Sequence, residues 1–135
     1  MVLVNNNNTT LDNAVTISAS GDSEDTVDTV DFNEALIVVD VTAKTGGTPT
    51  LVPEVQISLD GTNFVHRWTI IDEEDLASYV DLTRTTAPTN EGKIGTEGQY
   101  VAMLKGQLGT SLKINYTLGG TGTPTFDVTT KIFLR

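Results

Sequence analysis

The sequence of 135 residues has no cysteine, which excludes a disulfide framework, a thiolate metal site and a cysteine nucleophile. Its single histidine, His66, cannot build a His-rich metal centre, and most serine-hydrolase and acid-base schemes are left without a base. Basic side chains are scarce, 8 against 18 acidic ones, for a formal net charge of -10. That field repels a phosphate backbone and argues against a nucleic-acid partner. No apolar run approaches the roughly 18 residues of a membrane-spanning helix, so no membrane partner is expected. The opening Met1-Val2-Leu3-Val4, followed by four asparagines, has neither the basic region nor the apolar length of a signal peptide.

What is present is threonine and valine in abundance, punctuated by Gly, Asn and Asp. This is the composition of short strands joined by tight turns. Alternating apolar residues predict strands at 14–19, 26–32, 36–43, 51–59, 63–71, 80–84, 99–105, 111–118 and 125–134. Asp60-Gly61 predicts a two-residue hairpin turn between the fourth and fifth of these, because both positions of that turn need positive φ. The acids Asp72 to Asp75 leave room for at most one helical turn within 72–79. The expected fold is all-β, an antiparallel β-sandwich of about eight or nine strands in two packed sheets, Ig-like or jelly-roll-like. Residues 1–13, polar and without periodicity, are expected to form a flexible amino-terminal arm, with the sandwich domain at 14–135. Residues 85–97 form the longest structureless stretch, of a length more often functional or mobile than merely connecting.

An internal repeat runs through the pattern. Val39-Asp40-Val41-Thr42, Gly47-Thr48-Pro49-Thr50-Leu51 and Ile57 recur 75 residues later as Ile114-Asn115-Tyr116-Thr117, Gly122-Thr123-Pro124-Thr125-Phe126 and Ile132. The constant offset keeps inward positions inward in both copies, and each copy is predicted to be a hairpin with a Gly-Thr-Pro-Thr tip.

Motifs that would announce catalysis are missing. The segment from Gly106 to Ser111 lacks the lysine and spacing of a phosphate-binding loop, and no Gly-x-Ser-x-Gly elbow occurs. Asp22, Glu24, Asp25, Asp28 and Asp31 crowd one segment and Asp72 to Asp75 another, without the order of a calcium loop. Solvated acidic loops are the preferred reading of both. Phe64, Trp68, Tyr116 and Phe126 fall in strand phase and are predicted to serve the core. No catalytic, cofactor-binding or metal-ligating residue is assigned, no cofactor is expected, and the chain is expected not to be an enzyme.

The run from Ala35 to Leu51, followed by Val55 to Phe64, resembles small structural proteins of tailed bacteriophages, and the ending from Ile114 to Phe126 is similar to the closing hairpin of such proteins. Together these cover about half the chain. The resemblance points first to head decoration, or cement, proteins. It implies a virion protein of the outer head surface, made in the host cytoplasm, whose partner is the major capsid protein or another virion protein, with a homotrimer as one form. Neck, tail and fibre-associated proteins share such sandwiches, and fold alone does not separate them. A carbohydrate-binding module is the alternative from another class, and it requires Trp68, Tyr79 and Tyr100 exposed together on one face.

Overall fold

The computed structural model describes residues 7–69, 71–72, 94–105 and 108–135. The described residues form strands β1 (Asn7–Ile17), β2 (Gly21–Asp22), β3 (Val27–Asp28), β4 (Glu34–Ser58), β5 (Phe64–Thr69), β6 (Ile71–Asp72), β7 (Gly98–Lys105) and β8 (Ser111–Leu134). All pairings between them are antiparallel. The fold is all-β, as the composition predicts.

Two strands dominate, β4 with 25 residues and β8 with 24. They pair from Ala35 opposite Leu134 to Ser58 opposite Ser111, with register shifts between Val41 and Ala43 and on either side of Gly47. Extended, each would measure about 80 Å, several times the radius of gyration of about 14 Å expected for a domain of this size. The ribbon must therefore fold back on itself. Chain connectivity shows that it does: Asp28 pairs with Ser111 at one end of β8, while the Glu34 amide donates to the Arg135 carbonyl at the other. The short link from Asp28 to Glu34 spans at most about 20 Å, so both ends of the ribbon lie at one end of the molecule.

Folding the ribbon creates two layers from one sheet. The first holds β1, the second half of β8, the first half of β4, β7 and β6; the second holds β2, β3, the first half of β8, the second half of β4, and β5. Alternate residues of both halves point inward. Ala35, Ile37, Val39 and Val41 face Leu51, Val55 and Ile57 of the same strand, and β8 repeats the device with Leu112, Ile114 and Tyr116 against Phe126, Val128 and Ile132. All belong to one apolar cluster, in which each fully buried large side chain contributes about 1.5–3 kcal/mol. The two separate sheets expected from the sequence are thus a single hydrogen-bonded sheet of eight strands, bent into a sandwich.

The repeat has a different meaning from the one its turn chemistry indicated. Neither copy is a hairpin, because residues 36–43 and 51–59 belong to β4 and 111–118 and 125–134 to β8, apart from the flanking Leu59. The pair Ile37 and Ile132 maps onto Leu112 and Ile57, and the pair Val41 and Val128 onto Tyr116 and Pro53, each an observed pair. The copies are therefore neighbouring antiparallel strands related by a local two-fold axis close to Gly47 and Gly122. Each Gly-Thr-Pro-Thr segment bends its strand where the pairing is interrupted: Gly47 opposite Thr121 stands between the pairs Thr45–Thr125 and Thr50–Gly119, with a register shift on either side. Thr48 and Thr123, equivalent in the repeat, share the left-handed conformation with φ of 44° and 52°.

Residues 7–13, expected within the arm, lie in β1 and pair with the end of β8, so the boundary at residue 13 falls inside a strand. Their polarity misled because β1 is an edge strand with register shifts on either side of Asp12. The turn after β4 reverses the chain as expected, but Ser58 pairs with Phe64, so 59–63 make a five-residue loop. Gly61 alone among these five has positive φ, 82°. The strand expected at 80–84, the helical turn beyond Asp72 and most of the loop 85–97 lie outside the described residues. Ile94, from the end of that loop, is buried and forms a two-way bridge with Leu51.

Candidate interaction surface

One group of polar side chains in the core is built around Asp12. The register shifts around Asp12 turn two consecutive residues, Leu11 and Asp12, into the interior, which a regular strand with one buried face cannot do. Asp12 Oδ2 accepts the Tyr116 hydroxyl at 2.7 Å, and Oδ1 accepts the Glu24 amide at 2.8 Å. Because the tyrosine proton is committed to Asp12, the Thr130 hydroxyl donates to the Tyr116 oxygen. Burial, and then the Asp12 charge, hold the Tyr116 phenol well above its usual range. The cluster is a closed tie between layers.

Two carboxylates of the first acidic segment, Asp22 and Asp28, are likewise occupied with structure. Asp22 takes the Lys113 ammonium at 2.8 Å and the Asn115 amide at 2.8 Å, and the bond from Lys113 is the main reason its carboxyl lies below the usual range. Asp28 accepts the Val30 amide at 2.9 Å. No group of three or more His, Cys, Asp or Glu among the described residues is placed to hold a metal ion. Glu73, Glu74 and Asp75 lie outside those residues, as does the His66 side chain, although the backbone of His66 pairs with Gln56 in β5.

Among the described residues, the aromatic side chains do not assemble a sugar platform. Tyr100 is buried and its hydroxyl donates to the Thr96 carbonyl at 2.9 Å, which contradicts the exposed position a carbohydrate module needs. Tyr116 and Phe126 are core residues, as strand phase predicts. Phe64 is half-buried beneath the Lys113 ammonium, 4.3 Å from its ring centre. Tyr79 and the side chain of Trp68 lie outside the described residues.

The surface itself is polarised from end to end. The exposed large apolar side chains among the described residues are Val30, Leu59, Val65 and Phe133, with exposures of 61, 74, 57 and 37 %. Val30 lies in the link between layers, Leu59 follows β4 directly, Val65 pairs with Ile57 and Phe133 precedes the last residue of β8. All four therefore gather at the open end of the folded ribbon. At the bend, the exposed residues 45–48 and 120–123 are threonines and glycines without a charge.

Two depressions mark the open end. One, of about 270 Å³, is lined by Leu36, Met103 and Phe133, cross-strand neighbours on the outer side of the first layer, and is flanked by the Glu34–Arg135 ion pair. The other, of about 500 Å³, lies between β3 and the turn after β4 and includes Val27, Asp28, Val30, Leu59 and Asp60. The sequence did not reveal this gathering, since Val30, Leu59 and Phe133 sit in three separate segments and only the folded ribbon brings their ends together. The periodicity held one signal: Leu59 breaks the alternation of β4, following the buried pair Ile57 and Ser58.

No protein-family model matches the sequence, and no curated protein matches it. Among solved structures, the crystal structure of SPBc2 prophage-derived protein YomS has a similar fold, with a TM-score of 0.56 at 10% sequence identity, over 99% of this chain and 97% of that one.

Proposed function

We propose that the protein is a structural component of a tailed-phage virion, a head decoration protein that reinforces the capsid by contact rather than catalysis. The carrying observation is that the whole chain, 99% of it, shares its fold with a prophage-derived protein. The resemblance of the β4 and β8 segments to small phage structural proteins points the same way. The physical design suits the role. A long paired ribbon closed around one core is stiff, and exposed apolar residues gathered at one end give it a contact face, whereas scattered ones would not. Contact with the major capsid protein through that end, on the outer head surface, is the preferred arrangement. A homotrimer would match a three-fold position of the shell, each copy turning its open end to the capsid.

The test is binding of the purified full chain to heads of the encoding phage prepared without it. Saturable co-sedimentation, with heads that then resist heating better, is the expected result. Binding to tails or necks instead would replace decoration with the neighbouring structural role, and binding to no virion part would overturn the reading. Sedimentation equilibrium of the free protein decides between a pre-formed trimer and assembly on the particle.

A further inference from the structure

The groove at the open end has a composition that defines its partner. Its walls are the β3 segment, with Val27, Asp28 and Val30, and the turn after β4, with Leu59 and Asp60; Ser111 closes it below. Leu59 and Val30 are among the most exposed apolar residues of the described chain, yet they line a concave surface. Both charged residues of the lining are carboxylates, and no basic residue among the described ones lines it. Asp60 is bound to remain ionised, since its carboxylate accepts the amides of Asn63 and Thr62 and the Asn63 side chain, each at 2.8 Å. Asp28 is exposed, and its Oδ1 accepts the Val30 amide.

We infer that this groove receives an extended segment of a partner protein carrying valine- or leucine-sized side chains interleaved with lysine or arginine. The apolar side chains cover Val30 and Leu59, while the long basic stems reach the carboxylates at the rim. A second copy of this chain is a poor occupant, because its net charge of -10 opposes it. The inference rests on the reading of the protein as a contact protein and names the contact.

The probe is a synthetic heptapeptide of alternating lysine and valine, titrated into the isotope-labelled full chain and followed by amide chemical shifts. Shifts confined to Thr26–Val30, Leu59–Gly61, Thr110 and Ser111 are expected, weakening as salt is raised. Leu59→Ser and Val30→Ser, both at exposed positions, should each reduce the affinity at least fivefold with unchanged melting. Asp28→Asn, which keeps the acceptor for the Val30 amide, should flatten the salt dependence. Shifts at the Thr45–Thr48 bend, equal binding of a glutamate-valine peptide, or full affinity in Leu59→Ser would overturn the inference. So would groove shifts that depend on protein concentration without peptide, which would assign the site to a second copy. The same Leu59→Ser chain then separates the two claims on phage heads: normal head binding removes the groove and keeps the decoration role, whereas peptide binding without any head binding by the unaltered chain does the reverse.

Discussion

The Tyr116 hydroxyl lies 2.5 Å from Thr130 Oγ1, although the two residues are 14 apart on the same strand. Extended, that separation would be about 46 Å, so the contact exists only because β8 doubles over. Asp12 completes it from β1, and the fold's long-range closure is thereby tied to three polar side chains inside an apolar core.

Tyr116→Phe should therefore destabilise the protein by about 2 kcal/mol, because the buried Asp12 carboxylate loses a donor and only the Glu24 amide remains. The pH dependence provides a second signature. The Tyr116 phenol titrates higher in the folded chain than the value of about 10 it has when unfolded. Below pH 10 both states keep the proton and the contribution is intact; above it the unfolded state releases the proton first, and stability falls with rising pH. Urea unfolding between pH 7 and 11 should show this alkaline decline in the natural chain and a shallower one in Tyr116→Phe. Equal slopes would show that Tyr116 is not its source.

The turn after β4 depends on Gly61 for its backbone rather than for space. Its φ is 82°, and an added Cβ would meet nothing within 4 Å. Gly61→Val should cost about 1 kcal/mol or more from the left-handed conformation alone. Gly61→Asn should recover most of the loss, since asparagine tolerates that region. Thermal melting distinguishes this from a steric effect, in which both variants would fall together.

Asp60 anchors the same turn, and the amides of Asn63 and Thr62 hold its carboxyl well below the usual range. A depressed folded pKa contributes stability above about pH 3.9, the unfolded value, which is lost as pH falls toward the folded one. Asp60→Asn does not titrate. The drop in melting temperature between pH 5 and pH 2 should be smaller in that variant than in the natural chain.

Strand chemistry made the β content legible in the sequence, and the period-2 runs with the repeat placed Val39, Val41, Leu51 and Ile57 of β4 and Ile114, Tyr116, Phe126 and Ile132 of β8 inward, where all eight are buried. Two features escaped for physical reasons. Turn residues such as Gly47-Thr48-Pro49 announce that the chain bends but not in which plane, so an out-of-plane fold of a paired ribbon has the same local signature as a hairpin. Asp12 escaped because a bulge changes the facing of every residue around it, and nothing local to Leu11-Asp12-Asn13 marks where the register slips. The groove at Val30 and Leu59 escaped for a third reason: it is made of chain ends that only long-range pairing brings together.

The bend offers the sharpest test of the local two-fold. Thr48 and Thr123 occupy the same left-handed region at positions 75 apart, and both precede proline. A β-branched residue there is strained by roughly 1–2 kcal/mol, whereas glycine gives back about 0.5–1 kcal/mol of that gain through its freer unfolded chain. Thr48→Gly and Thr123→Gly should thus each stabilise the protein by up to about 1 kcal/mol, and by similar amounts. The opposing control is Gly120, where an added Cβ would sit 2.8 Å from the Thr48 carbonyl oxygen and 2.9 Å from Pro49 Cα, at a φ of +118°. Both neighbours are backbone of the facing strand and cannot swing aside. Gly120→Ala should cost about 2 kcal/mol or more, since it overpacks the bend and strains the backbone at once. Denaturant unfolding of the three variants decides the matter: unequal responses of the two threonine positions would show that the repeat is a likeness of sequence only, without the shared conformation that the two-fold requires.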